Sequence, residues 1–361
     1  MFSNDFFLTE AAGEESARQV LERAAKWLAE RRIQPIQERL YGELGEREEI
    51  LAIREEVFAR AGLDPRTPVT YLEGKPISGA GMAGLQIWGI ASNGSGAVEI
   101  RTIGSARLWE GRGIRLLYLP MVCGTGADGK LPGDPSAQAE RMFANAAEIL
   151  KAHGFSYRHV ARTWIYLARL LDWYDDFNRV RTARYAKEGF GTGPGELPYP
   201  ASTAIQGRHG EEECCMSLLA LDVTPSSGAV VHAIRRSRRQ DQAFSYGSAF
   251  SRAASIAMDG RKTIHISGTA SIDVNGKTIH VGDPDLQAQE TLLNVAALLE
   301  EQGGGLANIR SSTLFCKTRE VHDTFRGVMR RLLVPAFPIV PMIADVCRPD
   351  LLVELEAVAV I

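Results

Sequence analysis

The chain has 361 residues and a formal net charge of −3, with 41 Lys and Arg against 44 Asp and Glu. Apolar residues make up 45% and charged residues 24%, a balance that allows a buried core and a soluble surface. The near-neutral charge argues against a protein whose main partner is a nucleic acid backbone. At about 150 residues per domain, the length predicts two domains and an appendage.

The cysteines and the uncharged segments indicate a cytoplasmic protein. The five cysteines are too few and too irregularly spaced for a disulfide framework, and no Cys/His cluster has the spacing of a metal site. The N-terminal segment FSNDFFLTEAAGEES lacks the basic and apolar regions of a signal peptide. Residues 76–98 are uncharged but hold six glycines, too polar and broken to span a bilayer. We therefore expect no metal and no membrane partner.

Residues 1–64 predict an N-terminal helical extension. Its segment EESARQVLERAAKWLAERR has the apolar spacing of an amphipathic helix, which we interpret as a packing or oligomerisation helix.

Further on, Gly79, Gly81 and Gly84 match the GxGxxG pattern of dinucleotide-binding loops. The residues that follow, LQIWGI, do not favour the helix that a pyrophosphate site needs. We therefore expect a loop that leads into a strand.

An internal repeat organises the rest of the chain. The sequence GDP at residues 133–135 recurs at residues 282–284, and each copy opens a helix with apolar residues at helical spacing that stops at a glycine. A strand-rich run precedes each helix; a second strand, a second helix and a last strand follow. The pattern predicts an α+β fold made of two β-β-α-β-α-β units, each a mixed sheet with two helices on one face. We place these units at residues 65–224 and 240–361, joined by a linker at 225–239.

The last strand of the second unit carries two carboxylates on one face. Strand alternation places Glu354 and Glu356 together, opposite Val353 and Leu355. A carboxylate on an apolar strand is costly unless it is solvated or paired. Two interpretations stay open, a solvent-facing pair or a desolvated group that exchanges protons near neutral pH. Aligning the two copies puts Ser217 opposite Glu354, which favours a working site in the second unit and a degenerate one in the first.

Other side chains have both structural and functional interpretations. Cys347, seven residues before Glu354, is either a small buried residue or part of a site. Arg162 lies among apolar residues in HVARTWIYL, and Tyr246 and Arg252 lie in FSYGSAFSRAA. Arg162 could be a surface charge or an anion-binding residue, and Tyr246 and Arg252 could be strand residues without a special role. Together, the two arginines could supply the forked donors that a dicarboxylate needs.

Two family resemblances become visible at this point. The copies resemble the YjgF/Rid superfamily, whose subunits end in a strand like VELEA at residues 353–357. The tandem arrangement, with ARTWIYL, WYDDFNRVR, PASTAIQG, FSYGSAFSRA and ISGTAS, resembles the chorismatases from about residue 65 to the end. Those enzymes remove the enolpyruvyl group of chorismate. Rid deaminases use an Arg in a PARST motif, but this chain has PAST at 200–203 and an apolar pair at 339–340. Imine deamination is therefore less favoured.

The resemblance implies roles for the candidate residues. Glu354 would be the acid that protonates the enolpyruvyl methylene, while Arg162, Tyr246 and Arg252 would orient the carboxylates. Gly268 and Cys347 match the Gly and Cys of subfamilies that form hydroxybenzoate. The resemblance therefore implies that Cys347 is a catalytic residue together with Glu354, and that Gly268 binds the substrate. The expected reaction is therefore release of pyruvate from chorismate to give 3-hydroxybenzoate, with some 4-hydroxybenzoate as an open alternative, and with no cofactor.

Several alternatives stay open beside this reaction. One is a chorismate hydrolase that gives a dihydroxycyclohexadiene carboxylate, another is a Rid-type imine deaminase, and a third is a non-catalytic protein that binds small metabolites. Single-domain members of the superfamily look trimeric. By analogy, the chain is expected to be either a homotrimer or a pseudo-trimeric monomer.

Overall fold

The computed structural model describes residues 5–91 and 99–361. The first residues of the segment tested for a signal peptide and the last of the uncharged segment at 76–98 lie outside the described residues. Those described form three β-sheets and six α-helices. Among them, no helix is both long enough and apolar enough to cross a membrane.

The first sheet comes from the N-terminal 91 residues. Residues 5–91 contain β1 (Asp5–Ala11), α1 (Ala17–Arg31), β2 (Ile33–Gly42), α2 (Arg47–Arg60), β3 (Thr70–Glu73), β4 (Lys75–Pro76) and β5 (Met82–Ala91). Strand β4 belongs to the third sheet, and the other four strands form the first. The strand order is β1-β5-β2-β3, with β2 and β3 parallel. Helix α1 begins with a capping box, in which the Ser16 hydroxyl accepts from the Gln19 amide. The loop at Gly79–Gly84 leads into β5, as predicted, and not into a helix.

The prediction of a helical extension over residues 1–64 is therefore corrected. The two helices are present, but β1 and β2 are strands that pair with β5, beyond the expected boundary. Strand β2 was missed because Gln37, Glu38 and Arg39 break its apolar pattern. All three side chains are buried against other parts of the protein, so polarity in this strand does not report exposure to water.

The second and third sheets correspond to the repeat. The second unit contains β6 (Ile100–Ile103), β7 (Ala106–Gly111), β8 (Ile114–Cys123), α3 (Pro135–Ala152), β9 (Val160–Leu167), α4 (Leu170–Lys187), β10 (Ala201–Gln206) and β11 (Cys214–Val223). The third contains β12 (Val230–Ile234), β13 (Ala253–Met258), β14 (Arg261–Ala270), α5 (Pro284–Glu301), β15 (Ile309–Cys316), α6 (Arg319–Arg331), β16 (Val340–Ile343) and β17 (Val353–Val360). Asp134 and Asp283 of the two GDP sequences cap α3 and α5.

The α+β prediction is confirmed, with more strands than expected. Taken from its other edge, the second sheet has the order β6-β7-β8-β11-β9-β10, which is equivalent to β12-β13-β14-β17-β15-β16 of the third sheet. In each order the last strand is a short parallel one that the pattern did not predict. The third sheet continues beyond β16 with β4. The predicted linker at 225–239 is corrected, because β12 lies within it and pairs with β13. The first sheet has the same order over four strands, β1-β5-β2-β3 against β8-β11-β9-β10. Residues 5–91 thus form a shortened third copy of the unit.

The three units pack around a common centre. Each pair of helices covers the outer face of its own sheet, which gives three separate apolar clusters. The inner faces of all three sheets share a fourth cluster, to which Trp88, Trp164 and Phe315 each contribute from a different unit. Strand β1 contacts β15, β10 contacts β14 and β2 contacts β8. One chain therefore holds a pseudo-trimeric arrangement, while the number of chains in solution stays a prediction.

Candidate active site

A cavity of about 660 Å³ lies between the second and third units. Helix α4 and strand β10 contribute to one side, and β14, β17 and the segments that precede β13 and β17 contribute to the other. Five of the six candidate residues from the sequence line it: Tyr246, Arg252, Gly268, Cys347 and Glu354. The fold thus brings together residues that are more than 100 positions apart.

Glu354 lies on β17, between Ala270 of β14 and Phe315 of β15. Its side chain lines the cavity, yet the residue is only 4% exposed. Burial and the neighbouring Glu356 raise the pKa of Glu354 to about 8, against the opposing effect of Arg162. The carboxyl group therefore holds its proton at neutral pH. The solvent-facing interpretation of this carboxylate pair is wrong, since both side chains are buried.

Gly268 makes room for this carboxyl group. Strands β14 and β17 lose their regular register beside it, between Ile266 and Thr269, as at a β-bulge. A Cβ atom at Gly268 would overlap Oε1 of Glu354. The Gly268 amide donates to Oγ1 of Thr203 on β10, 3.0 Å away, which ties the bulge to the second unit. A glycine is therefore needed at residue 268, because the Glu354 carboxyl group occupies the space that any side chain would need.

Cys347 is a wall residue with a protonated thiol. Burial and the nearby Glu354 raise its pKa to about 12. A thiol in this state is a poor nucleophile, because the reactive form is the thiolate. Cys347 therefore shapes the cavity beside the acid, and the geometry gives it no covalent role.

The charges that line the cavity are mostly positive. They come from Arg179, Arg181, Arg252 and Arg348 against the single carboxylate of Asp175, since Glu354 is protonated. Arg252 donates from Nε and Nη2 to the Asp241 carbonyl, at 3.0 and 2.7 Å. The guanidinium groups of Arg252 and Arg348 each lie 5.4 Å from the centroid of the Tyr246 ring. Such fixed guanidinium groups suit a ligand with more than one carboxylate.

Arg181 is a site residue that the sequence did not reveal. It projects from α4, is buried, and donates to Oδ1 of Asn178 at 2.5 Å. Its guanidinium lies 5.6 Å from the Phe177 ring and 5.9 Å from the Phe250 ring. Tyr174 and Asn178 line the cavity from the same helix, one turn apart. The helical spacing of these residues within WYDDFNRVR was visible in the sequence. The sequence does not show, however, that this helix packs against the third unit and so lines a cavity.

Arg162 does not line the cavity, which corrects its expected place in the site. Its Nη2 atom donates to Oε2 of Glu356 at 2.8 Å and to Thr203 Oγ1. Strand β9 is an inner strand of its sheet, and this side chain faces the centre where the three units meet. Arg162 therefore acts on the candidate acid only through its charge and through Thr203.

The alignment of Ser217 with Glu354 is also corrected. Ser217 pairs with Trp164 on β9, as Glu356 pairs with Thr313 on β15. Both lie opposite a break in register with the adjacent strand, β8 or β14. By this equivalence Cys215, not Ser217, occupies the position of Glu354. The second unit still lacks the acid, in keeping with a degenerate site.

Comparisons with known proteins support the fold and the family. The model of the family described as Endoribonuclease L-PSP matches residues 247–361. A 3-hydroxybenzoate synthase of Streptomyces hygroscopicus is 30% identical over 260 residues, 64% of this chain and 72% of that protein. A chorismatase of the same organism is 28% identical over 261 residues, 66% and 71% of the two chains. A chorismatase crystal structure aligns over 99% of this chain and 100% of its own, with a TM-score of 0.63 and 18% identity. That structure shares the fold.

Proposed function

Because the chain belongs to the chorismatase family, we propose that it removes pyruvate from chorismate in the cavity between its second and third units. The observation that carries this proposal is Glu354, a buried carboxyl group with a pKa near 8 in a cavity lined by arginines. Protonation of carbon is difficult, and it needs an acid that is both protonated at neutral pH and fixed in place. Glu354 meets both requirements.

The arginines fit a substrate with two carboxylates. Arg181 reaches the cavity from the second unit, while Arg252 and Arg348 reach it from the third. Each carboxylate of chorismate can then pair with a different wall, which fixes the enolpyruvyl group relative to Glu354. Tyr246, whose ring centroid lies 5.4 Å from the guanidinium groups of both Arg252 and Arg348, adds a hydroxyl and an aromatic face to the part of the cavity that would hold the substrate ring.

The reaction starts with transfer of the Glu354 proton to the methylene carbon of the enol ether. The double bond becomes a methyl group and an oxocarbenium ion, and Glu354 becomes a carboxylate. Arg162 then lies close enough to lower the energy of that carboxylate. In the 3-hydroxybenzoate route, a ring hydroxyl of the substrate traps the cation, and aromatisation follows with loss of pyruvate. Chorismate gives hydroxybenzoate and pyruvate without consuming water.

Gly268 and Cys347 favour 3-hydroxybenzoate as the main product. Both line the cavity together with Glu354, and both match residues of the hydroxybenzoate-forming chorismatases that the sequence resembles, which is what supports this product. The hydrolytic alternative adds water to the cation and gives a dihydroxycyclohexadiene carboxylate. The two routes differ in whether an oxygen atom from solvent enters the products.

The test is incubation of the protein with chorismate in ¹⁸O-labelled water, with pyruvate assayed and the ring product identified. Pyruvate with an aromatic product free of label supports the 3-hydroxybenzoate route. Pyruvate with a non-aromatic diol supports hydrolysis. An absence of pyruvate, with the protein shown to be folded, would overturn the proposal and leave imine hydrolysis or simple metabolite binding.

A further inference from the structure

A tight turn closes the hairpin at residues 272–278, beside the cavity between the second and third units. The Asp273 amide donates to the Lys277 carbonyl at 3.0 Å, and the Gly276 amide donates to the Asp273 carbonyl at 3.1 Å. The Asp273 carboxylate also accepts from the Lys277 amide at 2.9 Å. Gly276 has a φ of +76°, in the left-handed region that glycine adopts without strain. These bonds and this glycine together fix the shape of the turn.

The Tyr246 ring packs on the backbone of this turn. Gly276 is buried, although its neighbours Asn275 and Lys277 are exposed. A Cβ atom at Gly276 would overlap Cδ1 and Cγ of Tyr246. The ring therefore occupies space that only a glycine leaves free, and any side chain at residue 276 would have to displace it.

The same glycine also holds Arg348. Nη1 of Arg348 donates to the Gly276 carbonyl at 2.7 Å, and the guanidinium lies 5.4 Å from the centroid of the Tyr246 ring. Tyr246 and Arg348 both line the cavity, whereas Gly276 lies behind them. One residue outside the cavity wall thus supports two residues of that wall, one by packing and one by a hydrogen bond.

The second unit has an equivalent turn without this contact. There the Gly126 amide donates to the Lys130 carbonyl at 2.7 Å, and the Gly129 amide donates to the Gly126 carbonyl at 3.0 Å. Gly129 has a φ of +77°, but a Cβ atom on it would meet nothing within 4 Å. Both turns therefore favour a glycine for the backbone. Of the two, only the turn of the third unit also uses the missing Cβ to make room for a cavity residue.

We propose that Gly276 is a positioning residue, which holds Tyr246 and Arg348 where they bind the ring and one carboxylate of the substrate. The proposal rests on the proposed function, since that function assigns these two contacts. A methyl group at residue 276 would push the Tyr246 ring off the turn and into the cavity. Glu354 is positioned separately, at the bulge beside Gly268. Loss of the glycine should therefore weaken substrate binding and leave the proton transfer largely intact.

The kinetic test compares Gly276→Ala with Gly129→Ala. Both variants place a Cβ atom at a nearly identical left-handed φ, so both carry the same backbone strain. For Gly276→Ala we expect KM for chorismate to rise by at least about tenfold, with kcat changed less than about twofold. Gly129→Ala should leave both constants as in the wild type. Equal KM values in the two variants, or a loss confined to kcat, would overturn the proposal.

A double-mutant cycle tests whether Gly276 acts through Tyr246. The substitution Tyr246→Ala removes the ring atoms Cγ and Cδ1 that the new methyl group would overlap. In this background, Gly276→Ala should raise KM by less than about twofold, because the effects of two residues in contact are not additive. An increase as large as that in the wild-type background would contradict action through the ring.

Crystals of the full chain grown without chorismate test the packing alone. The Tyr246 ring should lie against Gly276 in the wild type and should move from the turn into the cavity in Gly276→Ala. A ring in the same place in both proteins, or a wild-type ring that lies away from the turn, overturns the proposal. The wild-type crystals decide even if the variant does not fold. Failure of the proposed function would instead appear as a wild-type protein that releases no pyruvate, so the two failures are distinguishable.

Discussion

The carboxyl group of Glu354 occupies the space that a Cβ atom on Gly268 would need. This relationship joins two strands of the third sheet at the point where their register breaks. Because Gly268 also donates to Thr203 of the second unit, the position of the acid depends on contacts from two units. The proposed catalysis by Glu354 should therefore be sensitive to substitutions that remove no reactive group.

The substitution Gly268→Ala tests this sensitivity. The added methyl group displaces the Glu354 carboxyl, and we expect pyruvate release from chorismate to slow by at least about tenfold, as small misplacements of reacting groups do. The control is Gly327→Ala on α6, where a Cβ atom meets nothing within 4 Å. That variant should keep full activity and gain stability from helix propensity. Equal rates in the wild type and Gly268→Ala would contradict the steric argument.

The substitution Glu354→Gln tests the acid itself. The amide keeps the shape of the side chain but has no proton of suitable acidity, so pyruvate release should fall to the background rate. The melting temperature should stay the same or rise, since the variant no longer buries an ionisable group. Coupled lactate dehydrogenase assays and thermal denaturation measure the two effects. Normal turnover in this variant would exclude the mechanism.

The pH profile of the reaction follows from the raised pKa of Glu354, about 8 against an ordinary 4.5. The protonated form is the active one, so kcat/KM should be high below pH 8 and should fall as the pH rises through 8. Measuring initial rates between pH 6 and pH 10 checks this limb. A rate that increases across that range would show that the ionised form is active, which the proposal does not allow.

The same group links stability to pH. Between pH 4.5 and 8 the unfolded chain releases the Glu354 proton while the folded protein retains it. The stability of the wild type relative to Glu354→Gln should therefore be greatest below pH 4.5, decrease as the pH rises to 8, and stay constant above that value. Urea denaturation of both proteins over this range measures the difference. A difference that grows with pH would have the wrong sign.

Arg181 should determine substrate affinity. Replacing it by Met removes a buried guanidinium from the cavity wall, and we expect KM for chorismate to rise by about 10- to 100-fold. Arg181→Lys should recover only part of this loss, because an ammonium group lacks the fork that matches a carboxylate. Arg184→Met, three residues along the same helix and paired with Glu188, is the matched control. Equal KM values for chorismate in Arg181→Met and Arg184→Met would argue against a contact between Arg181 and a substrate carboxylate.

Glu356 should matter for stability more than for chemistry. Glu356→Gln leaves Arg39 and Arg162 without their carboxylate in the interior, which should lower the free energy of unfolding by about 3–5 kcal/mol. Burial opposes ionisation here, but the two arginines still lower the pKa of Glu356 below its ordinary value. The comparison is Glu56→Gln at an exposed pair, which should change little. Chemical denaturation measures both, and equal small effects would contradict an ionised centre.

The sequence predicted those features that depend on local pattern. Asp134 and Asp283 marked the starts of two helices because an aspartate before proline is a strong cap. Strand alternation placed Glu354 and Glu356 on one face, and resemblance supplied a role for Glu354. Strand β2 was not predicted, because its buried polar residues give the sequence the pattern of an exposed surface.

The rest depended on how the units pack. Arg162 lies on a predicted strand, but alternation gives only the face of a side chain and not the neighbour it meets. Its partner Glu356 comes from another unit, while Thr203 lies on the neighbouring strand of its own sheet. Arg181 was missed for the same reason, since the cavity exists only where α4 of one unit approaches the sheet of another.

The short strand β4 has a mechanical consequence. It belongs to the N-terminal part of the chain, yet it extends the third sheet by pairing with β16. The N-terminal and C-terminal units are thereby joined in one hydrogen-bonded sheet. Removal of residues 1–91 would expose the edge of strand β16 and the apolar cluster at the centre of the three units. The three copies should therefore unfold together in one cooperative transition and not as independent domains.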